Sequence, residues 1–307
     1  MESNCRKQFS GIGDTGEHED GVKKFITTVR AAVIGEHPSL REYFDIYANE
    51  AIFGLSIIED DLLELAGDAK VLEVGAGALL LSGYLASCGL KVFAIEPIVS
   101  GFSHFYQLQN AVVKYYDKIG LQVRLINSTI EQFKEPERFD YIFSINVFEH
   151  VHNVEQALAN AYLSLKHRGV LRIYCPNYHF PYEPHFNIPT LINKKLTECV
   201  FGTFIQTSSR MPQPRETWDG LNWINVTKVG KCLHARFGNS PKFNPHATYR
   251  IFVRAIDDAQ FSGRRSTWIM WVLRAIHYTG LMHLFKFVPI RVSPVMDFRV
   301  ERVLNEA

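Results

Sequence analysis

The sequence predicts an α/β fold built on a doubly wound, mostly parallel sheet. Between residues 67 and 177, short apolar runs alternate with segments of helical periodicity, a pattern typical of βαβ units. A glycine-containing turn follows the first run, as expected where a strand leads into a helix at a ligand site. At about 150 residues per domain, a chain of 307 residues accommodates one large domain with additions or two small ones, and the pattern favours the first.

Composition and charge exclude several classes of protein. The chain has 33 Lys+Arg against 32 Asp+Glu and is 47% hydrophobic, so neither general disorder nor a general attraction to nucleic acid is expected. Its five cysteines form no C-x-x-C pair, which argues against a disulfide framework or zinc cluster and favours a reducing, cytoplasmic location. Residues 1–20 are predicted to be a disordered lead without the apolar core of a secretory signal.

The elements follow from periodicity, taken in chain order. Residues 21–66 repeat apolar side chains at helical spacing and are predicted to form an N-terminal cap of two or three helices. The core at 67–177 then alternates strands and helices. The predicted strands are Lys70–Val74, Lys91–Ile95, Gln122–Ile126, Tyr141–Ile145 and Val170–Tyr174. The predicted helices between them are Leu79–Cys88, Phe102–Ile119 and Asn153–His167.

The regular alternation ends after Cys175. Residues 178–225 are rich in proline and aromatic side chains, which predicts an ordered insertion that walls the pocket of a second ligand. Most of its aromatic side chains are nevertheless expected to pack together as a second small core. Residues 226–307 are predicted to complete the sheet, with a helix at Thr227–Phe237, strands at Tyr249–Ile256 and Pro294–Val303, and an apolar helical tract at Trp268–Phe287.

The strongest motif is VLEVGAG at residues 71–77. Its glycines allow the backbone to turn tightly and approach a ligand. Glu96 ends the second strand 19 residues after Gly77, where an acid can accept hydrogen bonds from ribose hydroxyls. Glu73 would repel a pyrophosphate but suits a cation. Leu80 occupies the third glycine position of a dinucleotide fingerprint, which disfavours a nicotinamide-dependent oxidoreductase.

With these features the chain resembles the class I S-adenosylmethionine-dependent methyltransferases, specifically a small-molecule subgroup that includes ubiquinone-pathway enzymes. The resemblance covers about Ala66 to Asn177. It rests on VLEVGAG, on Glu96, on Asn127-Ser128-Thr129 and on FDYIFSINVFEHVHN from Phe139 to Asn153. The resemblance implies a seven-stranded sheet and S-adenosyl-L-methionine as cofactor. One departure is Leu79, where the family often has a further glycine.

The resemblance also implies which residues hold the cofactor. The methionine part would lie against Glu73, Gly75, Ala76 and Gly77, the ribose against Glu96, and the adenine along Ser128, Thr129 and Ile130, with Asn146 closing the site near the methionine. Ser128 and Thr129 are equally compatible with an ordinary turn.

A protein base is needed only when the acceptor atom carries a proton that must leave. Histidines that follow the strands are the candidates, because they titrate in the useful range. The first candidate is His150, because it follows the fourth strand directly, and the others are His179 and His185 after the fifth. An orienting role for His150 is an open alternative. His152 and His185 with Glu183 show no recognised ligand spacing, so no metal is predicted.

The function expected from the sequence is methyl transfer to a small molecule or glycan, most simply at oxygen. The alternatives are a catalytically silent binding or scaffold protein and, with less support, the oxidoreductase. Charged residues interrupt the tract Trp268–Phe287, so no transmembrane segment is predicted. This tract has three interpretations, in order of preference: burial within the fold, a homodimer interface, and contact with a membrane surface.

Overall fold

A computed structural model describes residues 15–97, 104–210, 213–263 and 267–303. Its helices are α1 (Thr15–Glu36), α2 (Arg41–Leu63), α3 (Leu80–Ser87), α4 (His104–Ile119), α5 (Val154–Ser164), α6 (Lys194–Gln206), α7 (Pro214–Gly220), α8 (Val226–Phe237), α9 (Ala247–Asp257), α10 (Ala259–Gly263) and α11 (Thr267–Tyr278). Short 3-10 helices cover Pro38–Leu40, Leu281–Phe287 and Ile290–Val292.

The strands form one seven-stranded sheet. They are β1 (Lys70–Val74), β2 (Lys91–Ile95), β3 (Val123–Ile126), β4 (Phe139–Ile145), β5 (Leu165–Pro176), β6 (Lys242–Phe243) and β7 (Val295–Glu301). Their order is β3-β2-β1-β4-β5-β7-β6. β1 pairs in parallel with β2 and β4, and β2 pairs in parallel with β3, whereas β6 and β7 are antiparallel. The predicted doubly wound, mostly parallel sheet is confirmed.

The chain divides into two compact units. The first unit comprises Met1–Ile145, Asn160–Arg172 and Glu301–Ala307, and the second comprises Asn146–Ala159 and Ile173–Val300. In the first unit, Arg30 on α1 forms a two-pronged ion pair with Asp45 on α2, at 2.7 and 3.1 Å. Buried Asp61 of α2 accepts hydrogen bonds from Tyr141 of β4 and Arg172 of β5. These polar contacts fix the N-terminal helices.

Aromatic side chains form the core of the insertion in the second unit. Phe186 and Trp218 are fully buried, and their rings meet edge-on at 5.8 Å. The Tyr178 and Trp223 rings stack at 5.3 Å. The expectation that most insertion aromatics pack as a second core is therefore met at these positions.

Two predictions from the sequence are wrong. Tyr249–Ile256 lies within helix α9, because its buried positions, Ala247, Ile251, Arg254 and Ala255, recur with helical and not alternating spacing. The predicted disordered lead at 1–20 is wrong from Thr15 onward, where α1 begins; residues 1–14 lie outside the described residues. A smaller difference concerns α5, which ends at Ser164 because β5 already begins at Leu165.

The apolar tract at Trp268–Phe287 forms α11 and the following 3-10 helix. Within the described part of the chain, no helix has the length and apolar character needed to cross a membrane. Its outward side chains are largely exposed, including Trp271, Tyr278 and Phe287. Burial within the fold, the first interpretation of this tract, therefore holds for its inner side, with Met270, Leu273 and Met282, and is wrong for its outer side.

Candidate active site

The glycine loop in the first unit is held by the backbone of the neighbouring strand. Gly75 and Gly77 have φ of 77° and 55°, in the left-handed region that glycine adopts without strain. The Gly75 N–H donates to the Ile95 carbonyl at 2.8 Å, and the Gly77 N–H donates to Glu96 Oε2 at 2.8 Å. The motif and Glu96 therefore meet at the carboxyl ends of β1 and β2, as the sequence predicts.

Tyr47 of α2 lies against the same loop at Gly77. No motif in the sequence identifies it. A Cβ at Gly77 would lie 3.0 Å from the Tyr47 ring, so a side chain there requires the ring to move. Burial, together with the nearby carboxylates Glu96 and Glu50, raises the pKa of Tyr47 to about 12. Tyr47 is therefore neutral at physiological pH.

Two further side chains, both from α4, hold the loop. Buried Gln109 of α4 donates through Nε2 to the Gly77 carbonyl at 2.8 Å. Tyr116 donates to the carbonyl of Leu79 at 3.1 Å. Leu79 has a φ of 63°, so the position where the family often has glycine is left-handed here and the leucine carries the strain.

Glu73 is a buried acid with a hydroxyl partner. Its Oε2 accepts a hydrogen bond from Ser82 at 2.5 Å. Burial raises the pKa of Glu73 to about 8, although the Ser82 hydrogen bond opposes the rise. At neutral pH the side chain is mostly protonated, and a cation placed beside it would favour the carboxylate.

Glu96 is less completely buried than Glu73. Burial raises its pKa, and the hydrogen bond from Gly77 opposes that rise. Only one of its oxygens, Oε2, is used in this bond. A carboxylate has about four lone-pair sites, so Glu96 retains the capacity to accept hydrogen bonds from a diol.

The turn at Ser128, Thr129 and Ile130 follows β3. The Thr129 carbonyl accepts hydrogen bonds from the N–H groups of Gln132 and Phe133, at 3.1 Å each. Ile130 is buried. Asn160 of α5 donates to the carbonyls of Ile130 and Glu131 at 2.9 and 2.7 Å. The turn is therefore rigidly anchored, by an asparagine that sequence reasoning missed.

Asn146 begins the second unit, directly after β4. Its φ of 55° is left-handed, which asparagine tolerates better than most residues. Its N–H donates to the Tyr174 carbonyl at 2.8 Å. This sharp change of direction starts the loop that carries Glu149 and His150.

The second unit brings His185 onto a buried carboxylate. His185 Nδ1 lies 2.6 Å from Glu183 Oε1, and Glu183 Oε2 accepts the Phe186 N–H at 2.7 Å. Burial acts to raise the pKa of Glu183, but His185 and backbone N–H groups outweigh it and lower the pKa below its usual value. An ionised Glu183 only accepts hydrogen bonds, so the His185 Nδ1 carries a proton and donates it to Glu183.

His150 lies beside His185. The two rings meet edge-on at 5.1 Å. Its Nε2 is 3.9 Å from Glu149 Oε1, and its side chain is 39% exposed. Partial burial of the ring and the neighbouring His185 lower the pKa of His150 to about 4, against the opposing influence of Glu183. His150 is thus neutral at physiological pH and a weak base.

The structure places the third predicted histidine differently. The His179 side chain is exposed, and burial of part of the ring and nearby Arg291 lower its pKa. Of the three predicted bases, His150 and His185 adjoin each other, whereas no contact joins His179 to that pair in the described part of the chain.

Glu149, His150 and His185 together could also hold a metal ion. Each offers a ligand atom, and these atoms lie within 4.8 Å of one another. The sequence did not show this, because His185 is 35 residues from His150. One carboxylate and two imidazoles are a common ligand set for divalent metals, so the cluster can act either on a proton or through a bound cation.

Comparison with known proteins agrees with this geometry. A family model described as a methyltransferase domain matches residues 50–227. An uncharacterized protein of Mycobacterium tuberculosis is 36% identical over 278 residues, which cover 91% of this chain and 94% of that protein.

Other relatives match over less of their length or only in outline. Ubiquinone biosynthesis O-methyltransferase of Rickettsia typhi is 31% identical over 164 residues, which cover 53% of this chain and 57% of that enzyme. Phosphoethanolamine N-methyltransferase 2 of Haemonchus contortus, solved in complex with S-adenosyl-L-methionine, has a TM-score of 0.49 and 14% identity, covering 83% of this chain and 53% of that one.

Proposed function

Because this chain belongs to the methyltransferase-domain family of S-adenosylmethionine-dependent enzymes, we propose that it methylates a hydroxyl oxygen of a small molecule or glycan. The observation that carries the proposal is the His185–Glu183 pair, with Nδ1 2.6 Å from Oε1. A base held in this way is needed for a hydroxyl, which must lose a proton as the new bond forms. The similarity to the O-methyltransferase of Rickettsia typhi also supports oxygen as the methylated atom.

His185 is the proposed general base. Glu183 fixes the tautomer and stabilises the imidazolium that forms when Nε2 accepts the proton, which is the arrangement of a base oriented by a buried carboxylate. His150 is the weaker candidate, because its pKa is lowered to about 4. We assign it to orienting the acceptor beside His185, with His179 outside the reaction.

The cofactor-binding residues are proposed as the sequence predicts them. The backbone from Gly75 to Gly77 and the Glu73 carboxyl group face the methionine part. Glu96 accepts hydrogen bonds from the ribose, and the turn at residues 128–130 lies along the adenine. Asn146 closes the methionine end. The structure adds Tyr47, Gln109 and Asn160 as residues that keep these groups in position.

The test varies the acidity of the acceptor. Wild type and His185→Ala are compared, by release of S-adenosylhomocysteine, on a series of phenols and sugar hydroxyls whose pKa values differ. The loss in the variant should grow as the acceptor pKa rises, because an acceptor that is already ionised needs no base. Glu183→Gln should show the same trend, and His179→Ala serves as the matched control. An equal loss on all acceptors contradicts the base assignment.

A chelator separates the two possible means of removing the proton. Turnover that is unaffected by EDTA agrees with a protein base. Turnover that is lost with EDTA and restored by Mg²⁺ or Mn²⁺ would instead assign the step to a cation on Glu149, His150 and His185. Absence of transfer to any hydroxyl, with S-adenosylhomocysteine bound normally, would favour the silent binding protein.

A further inference from the structure

One surface of the second unit is apolar and exposed, although the proposed chemistry does not use it. It is formed by the outer side of α11 and the 3-10 helix that follows, and we call it the C-terminal apolar surface. Its members are Trp271, Val272, Tyr278, Leu281, Leu284 and Phe287. Trp271, Tyr278 and Phe287 are 74%, 86% and 82% exposed. Single exposed apolar residues are common on protein surfaces, but a group of them in one short segment indicates a binding surface.

The surface rests on a packed inner side, so its exposure belongs to a folded element. Met270 and Leu273 of α11 are buried in a cluster with Ala255 of α9. In the following 3-10 helix, the Phe285 ring lies 4.7 Å from that of Phe252. α11 therefore has two apolar sides, one for the core of this unit and one that faces outward.

The charge of this segment has one sign. From Ala259 to Met296 the sequence has no Asp or Glu but has five basic residues, Arg264, Arg265, Arg274, Lys286 and Arg291. The whole chain is nearly balanced, with 33 basic and 32 acidic residues, so the imbalance is local. Arg274 is exposed on α11 next to the apolar side chains.

We propose that the C-terminal apolar surface binds the face of an anionic lipid bilayer. Aromatic and aliphatic side chains inserted at the headgroup level, with Arg and Lys against lipid phosphates, are the combination used by interfacial helices. A second copy of the chain fits less well, because a two-fold contact would place one basic segment against another with no acid to pair with.

A second exposed apolar stripe provides an internal control. On and before α6, Ile192, Leu196, Val200 and Phe204 are exposed and spaced four residues apart. The charge of this helix is of both signs, with Lys194, Lys195 and Glu198, and Glu198 forms an ion pair with Arg215. If exposed apolar area alone drove lipid binding, both stripes would bind.

The experiment sediments the full chain with vesicles of phosphatidylcholine, with or without phosphatidylglycerol. Binding should require phosphatidylglycerol and weaken as salt is raised. Trp271→Ala and Phe287→Ala should each weaken it about tenfold or more, and Arg274→Gln about fivefold. Phe204→Ala should leave it unchanged. Thermal unfolding of each variant confirms that these exposed substitutions leave the fold intact.

Three results would overturn the proposal. Equal binding to both vesicle types would remove the anionic requirement. A loss with Phe204→Ala as large as that with Trp271→Ala would move the contact to α6. A stable dimer in solution that Trp271→Ala dissociates would assign the surface to a second copy. None of these measurements depends on the acceptor or on turnover.

Discussion

Two buried glutamates, one in each unit, have pKa values shifted in opposite directions. Glu73 lies beside the glycine loop, and burial raises its pKa to about 8. Glu183 is at least as buried, but His185 and backbone N–H groups lower its pKa. The difference lies in the partners. Glu183 already has an imidazole that can become a cation, whereas Glu73 accepts hydrogen bonds from the neutral hydroxyl and backbone N–H of Ser82.

The comparison suggests a division of labour. A buried acid without a cation is costly to ionise, and a ligand that brings the cation can relieve that cost. The sulfonium and ammonium groups of S-adenosylmethionine are such cations. We therefore infer that Glu73 ionises when the cofactor binds, whereas Glu183 is already ionised and orients His185 as the base.

The largest expected effect is on the acceptor side. His185→Ala should lower turnover about 10²–10⁴-fold, the usual contribution of general base catalysis. The affinity for S-adenosylhomocysteine should stay at the wild-type value, because His185 is assigned to the acceptor. Stopped-assay turnover and calorimetry measure the two quantities. A parallel loss of cofactor affinity would contradict the separate roles of Glu73 and Glu183.

Glu96→Ala should give the next largest effect. Losing a charge-assisted hydrogen bond to the ribose weakens S-adenosylhomocysteine binding by about 1.5–3 kcal/mol. Calorimetric titration of wild type and variant gives this difference. Unchanged affinity would show that the ribose lies elsewhere, whatever the variant does to turnover.

A smaller effect is expected at the glycine loop. Gly77→Ala places a side chain at a left-handed backbone position, which costs about 1–2 kcal/mol. The added methyl group also contacts the Tyr47 ring. Gly120→Ala is the matched control, since Gly120 has a φ of 70° with nothing within 4 Å of an added Cβ. Both variants should lose stability in chemical denaturation, but only Gly77→Ala should lose cofactor affinity. Equal affinities would mean that the loop does not approach the ligand.

The sequence predicted the first unit better than the second for a physical reason. Gly75, Gly77 and Glu96 follow the ends of two short adjoining strands, so their spacing in the sequence carries the geometry. Tyr47 and Gln109 reach the loop from helices, where any residue of suitable size fits the periodicity. They could not be found without the fold.

The histidine cluster shows the same limit. His150 and His185 are 35 residues apart, and only the folded insertion brings their rings to 5.1 Å. The strand predicted at Tyr249–Ile256 failed for a related reason. A short apolar run fits both the helical and the strand period. The burial of Ile251 and Arg254, three residues apart, is typical of a helix.

Proton release on cofactor binding tests the central claim most directly. With a pKa of about 8, Glu73 of the cofactor-free protein is mostly protonated at about pH 7. The amino group of the cofactor is mostly charged at the same pH, because an α-amino group has a pKa of about 7.7–8.0. Binding of S-adenosylmethionine should lower the Glu73 pKa and release up to about one proton. Because binding releases a proton, the affinity for S-adenosylmethionine should rise as the pH increases toward about 7, by less than about tenfold per pH unit.

Calorimetry in buffers of different ionisation enthalpy measures this proton directly. The account predicts release by the wild-type protein and none by Glu73→Gln, which should bind more weakly and with little dependence on pH. Ser82→Ala, which removes only the hydroxyl partner, should keep the release. Binding without proton release in the wild-type protein, or the same release from Glu73→Gln, would contradict the claim that the cofactor supplies the cation that Glu73 lacks.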